Sequence, residues 1–254
     1  MALNTLTSLE TLLREKKLDV TLTSSRPWLR PGASRDEREA RLASSGWASV
    51  DAALGGGFPR GECSEIVGPP SSGRTAVLSA LLAAAAVRGE VMALIDTLDR
   101  FDPVSAAAMG VDVSRLLWVR GTDMRGTSAR VRESQREALA RVIDRAIKSF
   151  GLVLQAGGFG VVALDLADVP MAAIRRLPFT TWLRAQRLIE GHDTVGLVLA
   201  RDPIARSARG VTLRLVRDGA SAVTWSGDSH QARLFAGFAL RPHVASAHRI
   251  DEEV

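Results

Sequence analysis

The residues from Gly68 to Thr75 carry the clearest chemistry in this sequence. They match the phosphate-binding pattern Gly-x-x-x-x-Gly-Lys-Ser/Thr, except that Arg74 stands where the pattern has lysine. In such a loop, backbone N–H groups hold phosphates at a helix start, the lysine neutralises them and the Thr75 hydroxyl would ligate Mg²⁺. A guanidinium is planar and bulkier than an ammonium, so the change is not conservative. The predicted nucleotide-binding residues are Gly68, Pro69, Pro70, Ser71, Ser72, Gly73, Arg74 and Thr75.

Asp165 is the second candidate for this site. It follows the apolar run Val161–Leu164, as does the carboxylate that holds the water shell of Mg²⁺ in many nucleotide-binding proteins. We therefore expect either ATP with Mg²⁺ as the cofactor, bound without efficient hydrolysis, or no cofactor. Two interpretations of Arg74 stay open, because its guanidinium could clamp the phosphates or fill their place. The histidines and the single cysteine show no metal-ligand spacing, so no separate metal site is predicted.

The composition favours polyanionic partners and a cytoplasmic location. The formal net charge is +5, and 30 of the 33 basic residues are arginine because lysine occurs only three times. A drift toward arginine codons could by itself supply Arg74. A single cysteine, Cys63, and the lack of a long apolar run predict a reducing compartment and no membrane segment.

Apolar strands alternate with helices in residues 45–217, which predicts an α/β core. Its sheet is expected to be mainly parallel and flanked by helices, with the ligand at the carboxyl ends of the strands. The predicted strands are Cys63–Val67, Val91–Ile95, Leu116–Val119, Val161–Leu164 and Thr194–Ala200, and the predicted helices are about Gly73–Arg88, Pro103–Met109, Ser128–Phe150 and Thr181–Ile189.

Shorter segments flank this core. Residues 1–44 predict a helical appendage and linker, whose apolar stripe would dock either on its own domain or on a partner. Residues 218–254 predict a β-rich extension and tail. Strands are expected near 211–217, at the end of the core, and near 221–225 and 233–240 in the extension.

The stretch Leu42–Gly121 resembles the core of the RecA recombinase family. Ser45–Gly61 is similar to the family's segment before the strand that carries the phosphate loop, Gly68–Thr75 to that loop, and residues 95–112 to the segment after its second strand. The resemblance implies a RecA-like fold, a nucleotide site and a role in DNA repair.

Residues needed for catalysis in that family are replaced here. Arg74 stands at the loop lysine, and Leu98 at the glutamate that activates the attacking water. Leucine cannot accept a proton, and the adjacent Asp99 is expected to point elsewhere. Residues 199–202 show no counterpart of the glutamine that senses the γ-phosphate. No catalytic residue is therefore assigned, and enzymatic activity is left open, with a non-enzyme favoured.

The family's two DNA-binding loops are also shortened. They correspond to about Val169–Pro178 and Arg201–Gly210. Arginines in these segments would make salt-sensitive contacts with phosphates of single-stranded DNA, although ordinary exposed loop charge remains an alternative. The candidate DNA-contacting residues are Arg175, Arg176, Arg201, Arg206 and Arg209.

Within the superfamily, the chain resembles the ImuA family, RecA-like accessory proteins of the bacterial translesion-synthesis mutasome. This resemblance implies a non-catalytic regulator or adaptor in the SOS response. It would bind ImuB (a Y-family polymerase relative) and RecA, and meet an error-prone replicative-type polymerase indirectly. Two alternatives stay open: a nucleotide-dependent DNA-binding ATPase or recombinase paralogue, and a binding module switched by nucleotide.

Overall fold

A computed structural model describes residues 40–122, 132–205, 210–216, 223–226, 234–238 and 241–245. The predicted appendage lies almost entirely outside these residues. In chain order the helices are α1 (Ala48–Leu54), α2 (Arg74–Val87), α3 (Pro103–Ala108), α4 (Arg132–Ala156), α5 (Met171–Ile174) and α6 (Thr180–Ile189), with a 3₁₀ turn at Val113–Arg115.

Seven strands form the main sheet, in the order β11-β8-β3-β7-β6-β4-β5. All neighbours are parallel except β11, which pairs antiparallel with β8. The α/β prediction with a mainly parallel sheet is thus confirmed. The strands of the chain are β1 (Leu42–Ala43), β2 (Phe58–Pro59), β3 (Glu62–Val67), β4 (Met92–Asp96), β5 (Leu116–Arg120), β6 (Val161–Asp165), β7 (Val195–Ala200), β8 (Thr212–Val216), β9 (Val223–Ser226), β10 (Leu234–Phe238) and β11 (Arg241–Ala245).

Helices cover both faces of this sheet. On one face, α4 and α6 pack over alternate strand residues such as Ala93 and Ile95 of β4. The two-residue period of a strand turns Met92 and Leu94 to the opposite face, where α2 contacts β4. This burial explains why the strands read as continuous apolar runs. No helix among the described residues has both the length and the apolar composition to cross a bilayer.

Two elements differ from the sequence expectation. Helix α4 continues past Phe150 to Ala156, because Leu154 at its end is buried in the core and Gly151 is tolerated inside the helix. Strand β11 was not predicted, since Pro242 disfavours a strand. Its place at the edge of the sheet explains the exception, because an edge position can lack one backbone donor.

A cluster of charged side chains ties together the amino ends of the strands. Arg60, just before β3, contacts Glu90 at 2.5 Å and donates to the carbonyl of Asp193, just before β7, at 2.7 Å. Arg88 also contacts Glu90, at 2.8 Å, and donates to the carbonyl of Ser44. Burial alone would raise the pKa of Glu90, but hydrogen bonds from Arg88 and Arg60 hold it below its usual value. This cluster lies at the opposite end of the sheet from the phosphate loop.

Candidate phosphate-binding site

The predicted phosphate loop lies where its chemistry requires it, between β3 and the start of α2. Ser71 and Gly73 adopt left-handed backbone conformations, with φ of 59° and 94°. Such φ values are strained for serine and are typical of functional loops. Gly68 is required at the base of the loop, because a Cβ there would lie 2.6 Å from both the Ser72 hydroxyl and the Leu215 carbonyl oxygen. The backbone thus curls tightly at a helix N-terminus, where N–H groups remain available to an anion.

The Arg74 side chain reaches the carboxyl ends of two strands. It is 6% exposed, and its Nη1 donates to the carbonyl of Ala200 at 3.0 Å and of Ala167 at 3.3 Å. Ala200 ends β7, and Ala167 lies just beyond β6. A guanidinium has five N–H groups, so three of them, on Nε and Nη2, have no hydrogen-bond partner among the described residues.

Asp165 ends β6 beside this guanidinium. The pKa of Asp165 is raised to about 6, chiefly by burial. The N–H of Ala167 and the charge of Arg74 lower it, while the negative charges of Asp96 and Asp168 raise it, and these effects are included in that value. Burial likewise lowers the pKa of Arg74, while Asp165 and Asp168 act in the opposite direction. Arg74 and Asp165 are therefore close enough for each charge to shift the pKa of the other group. The structure brings these two predicted site residues together.

Leu98 does not face this site. It is 7% exposed and packs in the core cluster with Ile95 and Val142. The neighbouring Asp99 accepts two hydrogen bonds from Arg120, both at 2.9 Å. The position aligned with the family's catalytic glutamate is therefore occupied by a core side chain, and the adjacent carboxylate is bound to the edge strand β5.

The first predicted DNA loop, Val169–Pro178, is partly a helical turn. Helix α5 lies within it, and Val169 and Ile174 are buried in the core at 3% and 2% exposure. These apolar residues attach the segment to the core and leave its polar residues at the surface. Arg175 and Arg176 at its end are exposed, close in sequence to the exposed ring of Phe179.

The second predicted DNA loop, Arg201–Gly210, is anchored to β3. The buried carboxylate of Glu65 accepts hydrogen bonds from the N–H groups of Ile204 (3.2 Å) and Ala205. Arg201 is exposed, and its charge lowers the pKa of Arg74, so it lies in the electrostatic neighbourhood of the phosphate loop. Arg206 and Arg209 lie outside the described residues. The role of Glu65 was missed, although a carboxylate inside the buried strand Cys63–Val67 was the signal.

The residues fit the phosphate part of a nucleotide better than the metal part. The helix N-terminus, the unpaired N–H groups of Arg74 and the buried, unpartnered hydroxyl of Ser72 all suit phosphate oxygens. A divalent cation would need the Thr75 hydroxyl and Asp165 while lying beside a guanidinium. No group of three or more His, Cys, Asp or Glu residues suited to a metal ion occurs in the described part of the chain.

Comparison with protein families identifies one match. Residues 28–132 match the family described as the RecA N-terminal domain. This range contains the phosphate loop and Leu98 but not Asp165 or the arginines of the two predicted DNA loops.

Curated relatives of the chain include RecA proteins. Protein RecA of Synechococcus sp. (strain CC9605) is 47% identical over 74 residues, which cover 29% of this chain and 20% of that protein. Protein RecA of Streptococcus pyogenes serotype M5 (strain Manfredo) is 40% identical over 110 residues, covering 41% of this chain and 29% of that protein. The similarity thus spans less than a third of the length of either relative.

Among solved structures, the RadB recombinase aligns over 80% of this chain and 92% of its own, with a TM-score of 0.48 and 18% identity. The seven-stranded α/β architecture is observed directly in the structure of this chain. The family match and the RecA relatives support a relation between this part of the chain and the RecA-like superfamily.

Proposed function

We propose that this chain acts in DNA repair as a RecA-like regulator that does not hydrolyse ATP efficiently. The observation that carries the proposal is the position of Arg74, whose guanidinium binds the backbone carbonyls of Ala200 and Ala167. A loop lysine is a compact point charge at the β- and γ-phosphates, whereas this guanidinium is held by two carbonyls. Leu98 in the core adds a second deficit, because no carboxylate stands there to activate water.

The proposed mode of action is an adaptor for other proteins of DNA-damage tolerance. Its partners would be an ImuB-like relative of the Y-family polymerases and RecA itself, with an error-prone replicative-type polymerase engaged indirectly. The similarity of residues 28–132 to the RecA N-terminal domain supports a place in RecA-dependent repair. The specific partners rest on the resemblance to the ImuA family.

Hydrolysis by the purified full chain, with and without single-stranded DNA, tests the first half of the proposal. We expect background turnover both for the wild type and for Arg74→Lys, because restoring the ammonium does not supply the missing water-activating group. Leu98→Glu is unsuitable as a rescue variant, since it would place a carboxylate in the core. DNA-stimulated turnover at the rate of an active recombinase would overturn the proposal in favour of a working motor.

Binding of purified RecA and of an ImuB-like protein tests the second half. Biolayer interferometry with the immobilised full chain should give saturable binding of both partners, without added nucleotide. A chain that binds neither partner is not an adaptor of this kind.

A second candidate activity is direct contact with single-stranded DNA. Arg175 and Arg176 are exposed and have no partner among the described residues, and Phe179 is 64% exposed a few residues later. Cationic side chains with an exposed aromatic ring suit a sequence-independent contact through phosphates and base stacking. This surface would let a regulator without hydrolysis remain close to the DNA on which its partners act.

A further inference from the structure

We propose that Arg74 replaces the divalent cation at the phosphate loop, so that the loop binds a nucleoside di- or triphosphate without Mg²⁺. The inference rests on the proposed function, because it assigns a ligand to a site that does not hydrolyse it. In this proposal the positive group that contacts the phosphates is the Arg74 guanidinium of the chain rather than a bound Mg²⁺.

The first step is that the loop offers unpaired donors. The Ser72 side chain is 3% exposed and its hydroxyl has no hydrogen-bond partner within the described part of the chain. A buried hydroxyl without a partner costs about 1–3 kcal/mol, and a phosphate oxygen at the loop would relieve this cost. The N-terminus of the 14-residue helix α2 begins two residues later and favours negative charge.

The second step is that the guanidinium is fixed and only partly used. Two N–H groups of Arg74 bind the strand-end carbonyls of Ala200 and Ala167, which hold the side chain in place. Its three other N–H groups have no partner among the described residues. A largely buried cation with unpaired donors is an anion site, because hydrogen bonds to charged groups contribute more than neutral ones.

The third step concerns the charge balance. Arg74 and Arg201 supply two positive charges near the loop, as many as one Mg²⁺ carries, against the carboxylates of Asp165 and Asp168. A Mg²⁺ ligated by Thr75 and Asp165 would lie beside the guanidinium and be repelled by it. The two cations and the two carboxylates balance, so the attraction for phosphate comes from the helix N-terminus and from the N–H groups of the guanidinium that have no partner among the described residues. In this arrangement the guanidinium takes the place of a metal ion.

The experiment is isothermal titration of the full chain with ADP, ATP and inorganic pyrophosphate, in EDTA and in Mg²⁺. We expect the wild type to bind in EDTA and to gain no affinity from Mg²⁺. Arg74→Gln should weaken binding by about tenfold or more, because a charged hydrogen bond is lost. Gln keeps a donor for the Ala200 carbonyl, and circular dichroism with a urea midpoint would verify that the variant folds.

Two further variants separate the guanidinium from a metal site. Relative to the wild type, Thr75→Ala should lose no more affinity in Mg²⁺ than in EDTA, because a hydroxyl that ligates no metal has no Mg²⁺-dependent role. Arg74→Lys should gain affinity on addition of Mg²⁺, since the shorter point charge vacates the metal position. Tighter binding of the wild type with Mg²⁺, or a loss of affinity in Thr75→Ala that appears only in Mg²⁺, would overturn the inference and leave the adaptor proposal intact.

The remaining outcomes also discriminate. Failure of the wild type to bind any of the three ligands, with or without Mg²⁺, would overturn the built-in cation but not the adaptor. Rapid hydrolysis of ATP would overturn the proposed function instead.

Discussion

Replacing Asp165 by asparagine should stabilise the folded protein, and the gain should grow with pH. The carboxyl has a folded-state pKa of about 6, against a usual value of 3.8, chiefly because it is buried. Between about pH 4 and pH 6, the Asp165 carboxyl is still protonated in the folded state but has already lost its proton in the unfolded state. Unfolding therefore becomes easier as the pH rises from about 4 to 6, and above 6 the full cost of the buried charge is present.

The magnitude follows from the size of this pKa rise. One pKa unit corresponds to about 1.4 kcal/mol, so the rise from 3.8 to about 6 costs at most about 3 kcal/mol near neutral pH. Roughly half of that cost develops between about pH 5 and pH 7.5. Because the side chain keeps some contact with solvent, which screens the charge, we expect a measured increment of about 1 kcal/mol over this interval. Asparagine retains the oxygen that accepts the Ala167 N–H.

Urea unfolding followed by tryptophan fluorescence measures the effect, since Trp182 is buried at 4% exposure. The quantity compared is the difference in unfolding free energy between Asp165→Asn and the wild type at several pH values. Asp193→Asn is the matched control, because Asp193 is exposed and lies at the opposite end of the sheet. If the difference for Asp165→Asn stays constant with pH, or shrinks as the pH rises, burial of the ionised Asp165 carboxylate does not destabilise the folded state and the argument is refuted.

Three further outcomes are expected. Burial and the charge of Glu65 raise the pKa of Cys63 to about 12. Iodoacetamide at about pH 8 should therefore modify this thiol only in unfolding concentrations of urea, and alkylation of the native protein would contradict this prediction. Glu65→Ala leaves two backbone N–H groups without their acceptor and should lower the free energy of unfolding in a urea titration by about 2 kcal/mol or more. Glu65→Gln keeps an acceptor oxygen and should lower it less, so equal losses in the two variants would show that these hydrogen bonds do not stabilise the fold. If Arg175 and Arg176 contact single-stranded DNA, their joint replacement by alanine should flatten the slope of log affinity against log salt by about 1.4, and an unchanged slope in fluorescence anisotropy would remove them from the interface.

The sequence predicted the sheet and the phosphate loop because both depend on local patterns. Buried parallel strands read as apolar runs, and the spacing of Gly68, Gly73 and Thr75 reflects backbone geometry that few other residues permit. The long helix was placed correctly but ended too early, since a glycine gives a local stop signal that the burial of Leu154 overrides. Local preference gave way to tertiary packing there.

The orientation of side chains at the site could not be predicted in the same way. The partners of Arg74 are backbone carbonyls that follow it by 93 and 126 residues, and backbone carbonyls leave no mark in a sequence. The contact of Glu65 with the segment after β7 likewise spans about 140 residues. The sequence therefore supplied candidate residues for the loop, while the directions of their side chains required the fold.

The ion-pair cluster formed by Arg60, Arg88 and Glu90 has a consequence for how the sheet moves. It fastens the amino ends of the strands through side chains and backbone carbonyls together, whereas the carboxyl ends carry the loops. Local opening should therefore be uneven along each strand, with amide exchange slowest at the fastened end. A ligand or partner that arrives at the loops meets the end of the sheet that can adjust its shape while the rest of the fold stays in place.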